Sequence, residues 1–398
     1  VQPWSVGDLR GSPCNGVETP PGVAGDPRRA SDRGHHLRGR RGRVVGASQR
    51  RRRLGGASCA ARSRGVVRAE PVGHSLRDRA HRLADGLVSV KLFYSPDYLY
   101  TGTSLDTTNK AGWVADSLVR DPIPGVEVVA PTVEVTREMA VRVHCDAYVQ
   151  AIWTGEPRDA ADRNGVGRWT PDFARSRISA TSGVVNAALE ALETGGVAGS
   201  MSSGLHHARF DEGQGFCTLN GLVIAAVEAR HRGAGRVVIV DFDAHGGGGT
   251  ASLIGANSAL EQIDVSVNAF DGYESTRNSR YVLCRGGDYL DTVYQALKSV
   301  VDPASIDLIL YNAGVDPHED CATGGVPGIK SEVLAQRDQT VFDWARSWSV
   351  PVAFVFAGGY VGARMSRECL VDLHRQTLSA AISDSHPVPR LGSCRSGK

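Results

Sequence analysis

Three apolar runs constrain this chain more than any other feature. Val237-Val-Ile-Val-Asp241 is a continuous β-branched run that ends in a carboxylate. Ile306-Asp-Leu-Ile-Leu-Tyr-Asn312 and Pro351-Val-Ala-Phe-Val-Phe-Ala-Gly358 have the same character. Runs this apolar suit parallel strands that are covered on both faces. Longer amphipathic segments lie between and around them: Gly221 to Arg232, Tyr289 to Val301, and Ser331 to Ser347. The alternation predicts an α/β fold in three layers, with a central, mostly parallel, multistranded sheet between helices.

The polar residues that follow these runs point to chemistry. Asp241-Phe-Asp-Ala-His245 and four glycines follow the first, Ala313-Gly-Val-Asp316 follows the second, and Ala357-Gly-Gly-Tyr360 follows the third. Open α/β sheets bind ligands at the carboxyl edge of their strands. On extended backbone, positions 241, 243 and 245 face the same way, so two carboxylates and an imidazole can converge. Asp316 from a neighbouring strand end completes a mixed Asp/His set suited to Zn²⁺. A lone Asp after a strand would read as a turn or cap residue, and a lone His as a core residue. Their joint occurrence at three strand ends favours a metal site. Upstream, Gly204-Leu-His206-His207-Ala208 offers two imidazoles suited to general acid–base work near neutral pH.

With these residues in hand, the chain resembles the histone deacetylase family, in its bacterial, acetylpolyamine-amidohydrolase-like branch. Matching segments run from Phe93 to Leu378 and include Val143-His144, Gly215-Phe-Cys217, Asp241-x-Asp-x-His245, Ala313-Gly-Val-Asp316 and Gly358-Gly-Tyr360. The resemblance implies the arginase-like fold and a zinc-dependent deacetylase acting on an acylated amine, either a small molecule or a protein acetyl-lysine. It implies one Zn²⁺ per chain on Asp243, His245 and Asp316, with Asp241 accepting a hydrogen bond from His206. It makes His207 the favoured general base and acid, His206 mainly electrostatic, and Tyr360 the donor to the developing oxyanion. Gly215 and Phe216 should line the substrate channel. A structural K⁺ beside the Asp241–His245 turn is also implied.

Two departures stand out. The family usually continues its metal motif as His-His-Gly-Asp or His-His-Gly-Asn, whereas Gly246 to Gly249 follow His245 here. Gly246 replaces a histidine. Gly248 replaces the polar residue that normally orients the second histidine of the pair, leaving His207 without an identified partner. These losses motivate a second reading, a non-catalytic binding protein that kept the pocket. An arginase-type ureohydrolase is a third, but it needs two metals and a carboxylate where Gly247 stands.

Charge divides the chain. Residues 1–90 hold 18 Arg, no Lys and 7 acidic residues, a net of +11, and the remainder carries −9. That first segment lacks Ile, Phe, Tyr and Met, so a disordered or spurious extension is expected, with nucleic-acid binding only if the basic arm is native. The catalytic domain is placed at 91–383 and a flexible tail at 384–398. No run approaches the 18 apolar residues of a membrane-spanning helix. The eight cysteines form no CxxC pair, which fits a reducing cytoplasm, and Cys217 reads as a small buried residue. A homo-oligomer is left open.

Overall fold

The computed structural model describes residues 89–103 and 105–383. Of the extension expected at 1–90, residues 1–88 lie outside the described residues, as does the tail from 384, whereas Val90 is buried and already opens the first strand. Among the described residues eight strands form a single sheet: β1 (Val90–Phe93), β2 (Val126–Val129), β3 (Val197–Ser200), β4 (Val237–Asp241), β5 (Leu260–Ser266), β6 (Ser279–Leu283), β7 (Leu308–Gly314) and β8 (Val352–Ala357). Their order is β2-β1-β3-β8-β7-β4-β5-β6, and every pairing is parallel. The three apolar runs are therefore β4, β7 and β8, side by side, with Asp241 opposite Asn312 and Asn312 opposite Val355. That adjacency brings their carboxyl ends to one place.

Ten α-helices occur among the described residues: α1 (Lys110–Arg120), α2 (Arg137–Ala140), α3 (Asp146–Thr154), α4 (Arg158–Asp162), α5 (Pro171–Thr194), α6 (Gly221–His231), α7 (Gly248–Ile254), α8 (Tyr289–Lys298), α9 (Ser331–Ser347) and α10 (Arg367–Ile382). Side chains of the central strands alternate between two cores. Val238, Val240, Ile309, Tyr311, Phe354 and Phe356 pack with α1, α8, α9 and α10. Val237, Ile239, Leu308, Leu310, Ala353 and Val355 pack with α3, α5, α6 and α7. These two cores on either face of one sheet make the three-layer α/β/α architecture, and they explain why the central strands read as unbroken apolar runs.

β7 begins two residues later than the sequence suggests. Asp307 accepts from the backbone N–H groups of Gly235 (2.6 Å) and Arg236 (2.9 Å), so the chain is still in a turn there.

One buried cation ties the sheet edge to the helices. Arg337, on α9 and fully buried, pairs with Asp338 at 2.7 Å. It donates to the carbonyls of Phe242 (3.1 Å) and Gly314, just where β4 and β7 end. Arg337→Met should lower stability by about 3–5 kcal/mol, because it strands a buried carboxylate. The shift of the denaturant midpoint at constant m-value measures this.

Candidate active site

A pocket of about 480 Å³ opens at the carboxyl ends of β4, β7 and β8, and His206, His207, Phe216, Asp243, His245, Asp316 and Tyr360 all line it. Asp243, His245 and Asp316 are buried, and one ligand atom from each lies within 4.8 Å of the others. Burial and then the Asp243 charge push Asp316 up to about 7. Burial also works against the Asp243 charge, but the hydrogen bond from His245 and the His206 charge outweigh it and hold this carboxyl below its usual range. Two buried carboxylates this close favour a cation between them, and an Asp/His/Asp donor set fits a borderline dication such as Zn²⁺.

Asp241 does not join this cluster. The strand ends at Asp241, so the alternation expected across 241, 243 and 245 is broken by a turn. Within it, Asp243 N–H donates to Asp241 Oδ1 (3.3 Å) and His245 N–H to Asp243 Oδ1 (3.1 Å). Asp241 instead accepts from His206 Nδ1 (2.7 Å) and from Asn312 Nδ2 (2.8 Å).

The two histidines have different surroundings, although their ring centroids are only 3.9 Å apart. Burial pulls the His206 pKa down, but Asp241, with Asp243 and Asp264, more than reverses this and raises it to about 10. His207 is lowered to about 4, first by burial and then by the neighbouring His206 charge. Its Nδ1 lies 2.8 Å from Asp271 Oδ2. A carboxylate can only accept, so Nδ1 carries the proton and Nε2 keeps its lone pair. Asn220, which caps α6, positions this loop by donating to the His206 (3.2 Å) and Ala208 (3.3 Å) carbonyls.

Tyr360 sits on a turn built around Asp316. Gly358 has φ +59°, and a Cβ there would come within 2.3 Å of Asp316 Oδ1, so the approach requires glycine. Gly359 N–H donates to the same carboxylate oxygen. From α1, the fully buried Lys110 donates to the Gly358 carbonyl. Burial pushes the Tyr360 phenol well above its usual range, so it stays a neutral donor. Its ring lies 6.1 Å from that of Phe216, which is partly exposed at the pocket, and Gly215 packs against the His207 ring. Burial raises the Cys217 thiol to about 12, which disfavours a nucleophilic thiolate.

Residues 107–374 match the histone deacetylase domain. The chain belongs to the histone deacetylase family. It is 31% identical to an uncharacterized protein of Picosynechococcus over 223 residues, 55% of this chain and 74% of that one. It is 24% identical to histone deacetylase 2 of Arabidopsis thaliana over 313 residues, 73% of this chain and 80% of that one. Among solved structures, an acetylpolyamine aminohydrolase from Burkholderia pseudomallei shares the fold with a TM-score of 0.58 at 17% identity, over 73% of this chain and 98% of that one. The HDA15 HD domain does so with a TM-score of 0.59 at 18% identity, over 75% and 91%.

The histone deacetylase motifs located one side of the pocket but missed three residues that support it. Asn312 holds Asp241, Lys110 holds the turn before Tyr360, and Asp271 holds His207. Asn312 and Lys110 carry no local signal, since their roles depend on neighbours more than 70 positions away. Asp271-Gly272 reads as an ordinary turn. The missing polar residue at Gly248 was the one hint that another group had to reach His207.

Proposed function

We propose that this histone deacetylase family member is a zinc-dependent amidohydrolase that removes an acetyl or similar acyl group from an amine, such as acetyl-lysine or an acetylpolyamine. The observation that carries this reading is one pocket holding an Asp243/His245/Asp316 cluster, two carboxylate-paired histidines and Tyr360. Asp243, His245 and Asp316 would hold Zn²⁺, one per chain. When bound, that metal supplies Lewis acidity, which polarises a carbonyl and lets water lose a proton near neutral pH.

The remaining work falls to the protein's own side chains. His207, neutral with Nε2 free, takes a proton from the attacking water and returns it to the departing amine. His206, held protonated between Asp241 and Asp243, supplies positive charge to the developing oxyanion. Tyr360 donates its hydroxyl to that oxyanion. Gly215 and Phe216 line the channel that admits the acylated amine. A K⁺ beside the Asp241–His245 turn would offset another buried pair: burial and the Asp241 charge raise Asp264 well above the carboxylate range.

The ureohydrolase reading gains nothing from this site. Gly247 occupies the position that would need a further carboxylate, and its N–H is committed to Asp264 at 2.6 Å. The binding-protein reading rested on the losses at 246 and 248, and Asp271 supplies the partner that His207 was missing. Turnover on a panel of fluorogenic acetyl-lysine peptides and acetylpolyamines, abolished by a zinc chelator, is the expected result. A zinc-loaded protein that turns over none of them would favour a binding role.

A further inference from the structure

The two departures from the family motif, at Gly246 and Gly248, lie under the same turn. A Cβ on Gly246 would come within 2.6 Å of the Asp271 carbonyl oxygen, and a Cβ on Gly248 within 2.5 Å of both that oxygen and Asp271 Oδ1. The backbone seals the contact: Gly246 N–H donates to the Phe270 carbonyl (2.9 Å) and Gly248 N–H to the Asp271 carbonyl (3.1 Å). The bare glycines therefore let the loop after β5 press onto the start of α7. The loop delivers a carboxylate whose side chain is only 1% exposed.

We infer that Asp271 is the positioning residue for His207, entering from the loop after β5 to replace the polar group that this chain lacks at 248. The inference rests on the amidohydrolase reading of the same site. Asp271 Oδ2 accepts from His207 Nδ1 (2.8 Å) and from Gly249 N–H (3.2 Å), while Arg209 grips Oδ1. Arg209 is itself steadied by Gln214 (2.8 Å), so the carboxylate is clamped from two sides. Asp271 has φ +54°, a left-handed backbone that a non-glycine residue adopts at a cost, and that strain is sustained by these contacts. Held this way, the His207 ring has one tautomer and one orientation, with Nε2 as its base.

Two variants test this. In Asp271→Asn, charged Arg209 selects the amide oxygen and the NH₂ turns to His207 Nδ1 at the expense of the weaker bond from Gly249 N–H (3.2 Å); Nδ1 must then accept, so the proton moves to Nε2. Asp271→Gly removes the partner and also relieves the left-handed strain. Both should keep zinc content and thermal stability close to the parent, while kcat falls roughly 10²-fold or more and KM changes by less than about threefold. Ring ¹⁵N spectra of labelled histidine, with His207 assigned from its loss in His207→Phe, read the tautomer without substrate. They should show Nδ1–H in the parent and its loss in Asp271→Asn. If the parent turns over no acyl amine, the amidohydrolase reading falls while the spectra still decide this one. An unchanged His207 tautomer in Asp271→Asn, or an unchanged kcat in Asp271→Gly, overturns the inference.

Discussion

Tyr360→Phe is expected to lower kcat by roughly 10²-fold or more, the scale for losing one donor to an oxyanion. The ring remains, so its packing near Phe216, at 6.1 Å between centroids, is kept. Only the hydroxyl is lost. Burial holds that phenol well above its usual pKa, so it is protonated at every working pH and its effect is that of a hydrogen-bond donor rather than of a titrating group. KM should change less than kcat, because the contact strengthens mainly as the carbonyl oxygen gains charge. Zinc content and hydroxamate binding should be retained. Steady-state kinetics of parent and variant on the best substrate of the acyl-amine panel check this. An unchanged kcat would reduce Tyr360 to an aromatic closing a glycine turn.

Asp243→Ala and His245→Ala carry the other large effect: the purified parent is expected to hold one equivalent of zinc per chain, and each variant should lose it, and activity with it. Each ligand removed leaves two donors where a structural or catalytic Zn²⁺ requires at least three protein ligands. The electrostatics point the same way. Asp316 is pushed up to about 7 by burial and by Asp243, so a cation beside the pair would favour its ionised form. Elemental analysis after dialysis against a weak chelator reads the stoichiometry. Two equivalents in the parent, or full zinc in both variants, would refute a single-metal site on these residues.

How far these residues could be read in advance depended on whether their partners were local. The bounds of β4 and α9 followed from the sequence, because β4 is a β-branched run buried on both faces and α9 is one long amphipathic repeat. The edge strands β2 and β6 did not, because they are short and half exposed, so their residues show no continuous apolar run. Likewise the residues lining the pocket, Asp243, His245, Asp316, the two histidines and Tyr360, announced themselves as motifs at strand ends. Their arrangement did not.

Sequence alone determined the α/β class, the carboxyl edge as the place of chemistry, and the kinds of side chain that meet there. Only the tertiary structure decided which carboxylate serves which group. The turn after β4 sends Asp241 to His206 and leaves Asp243 with His245, a choice made by backbone hydrogen bonds that no spacing rule contains. Asp271 reaches His207 across 64 positions because two glycines leave room for a loop. Side-chain chemistry is written residue by residue, but proximity is the product of strand order and of the space that neighbouring residues leave empty, and both exist only once the chain has folded.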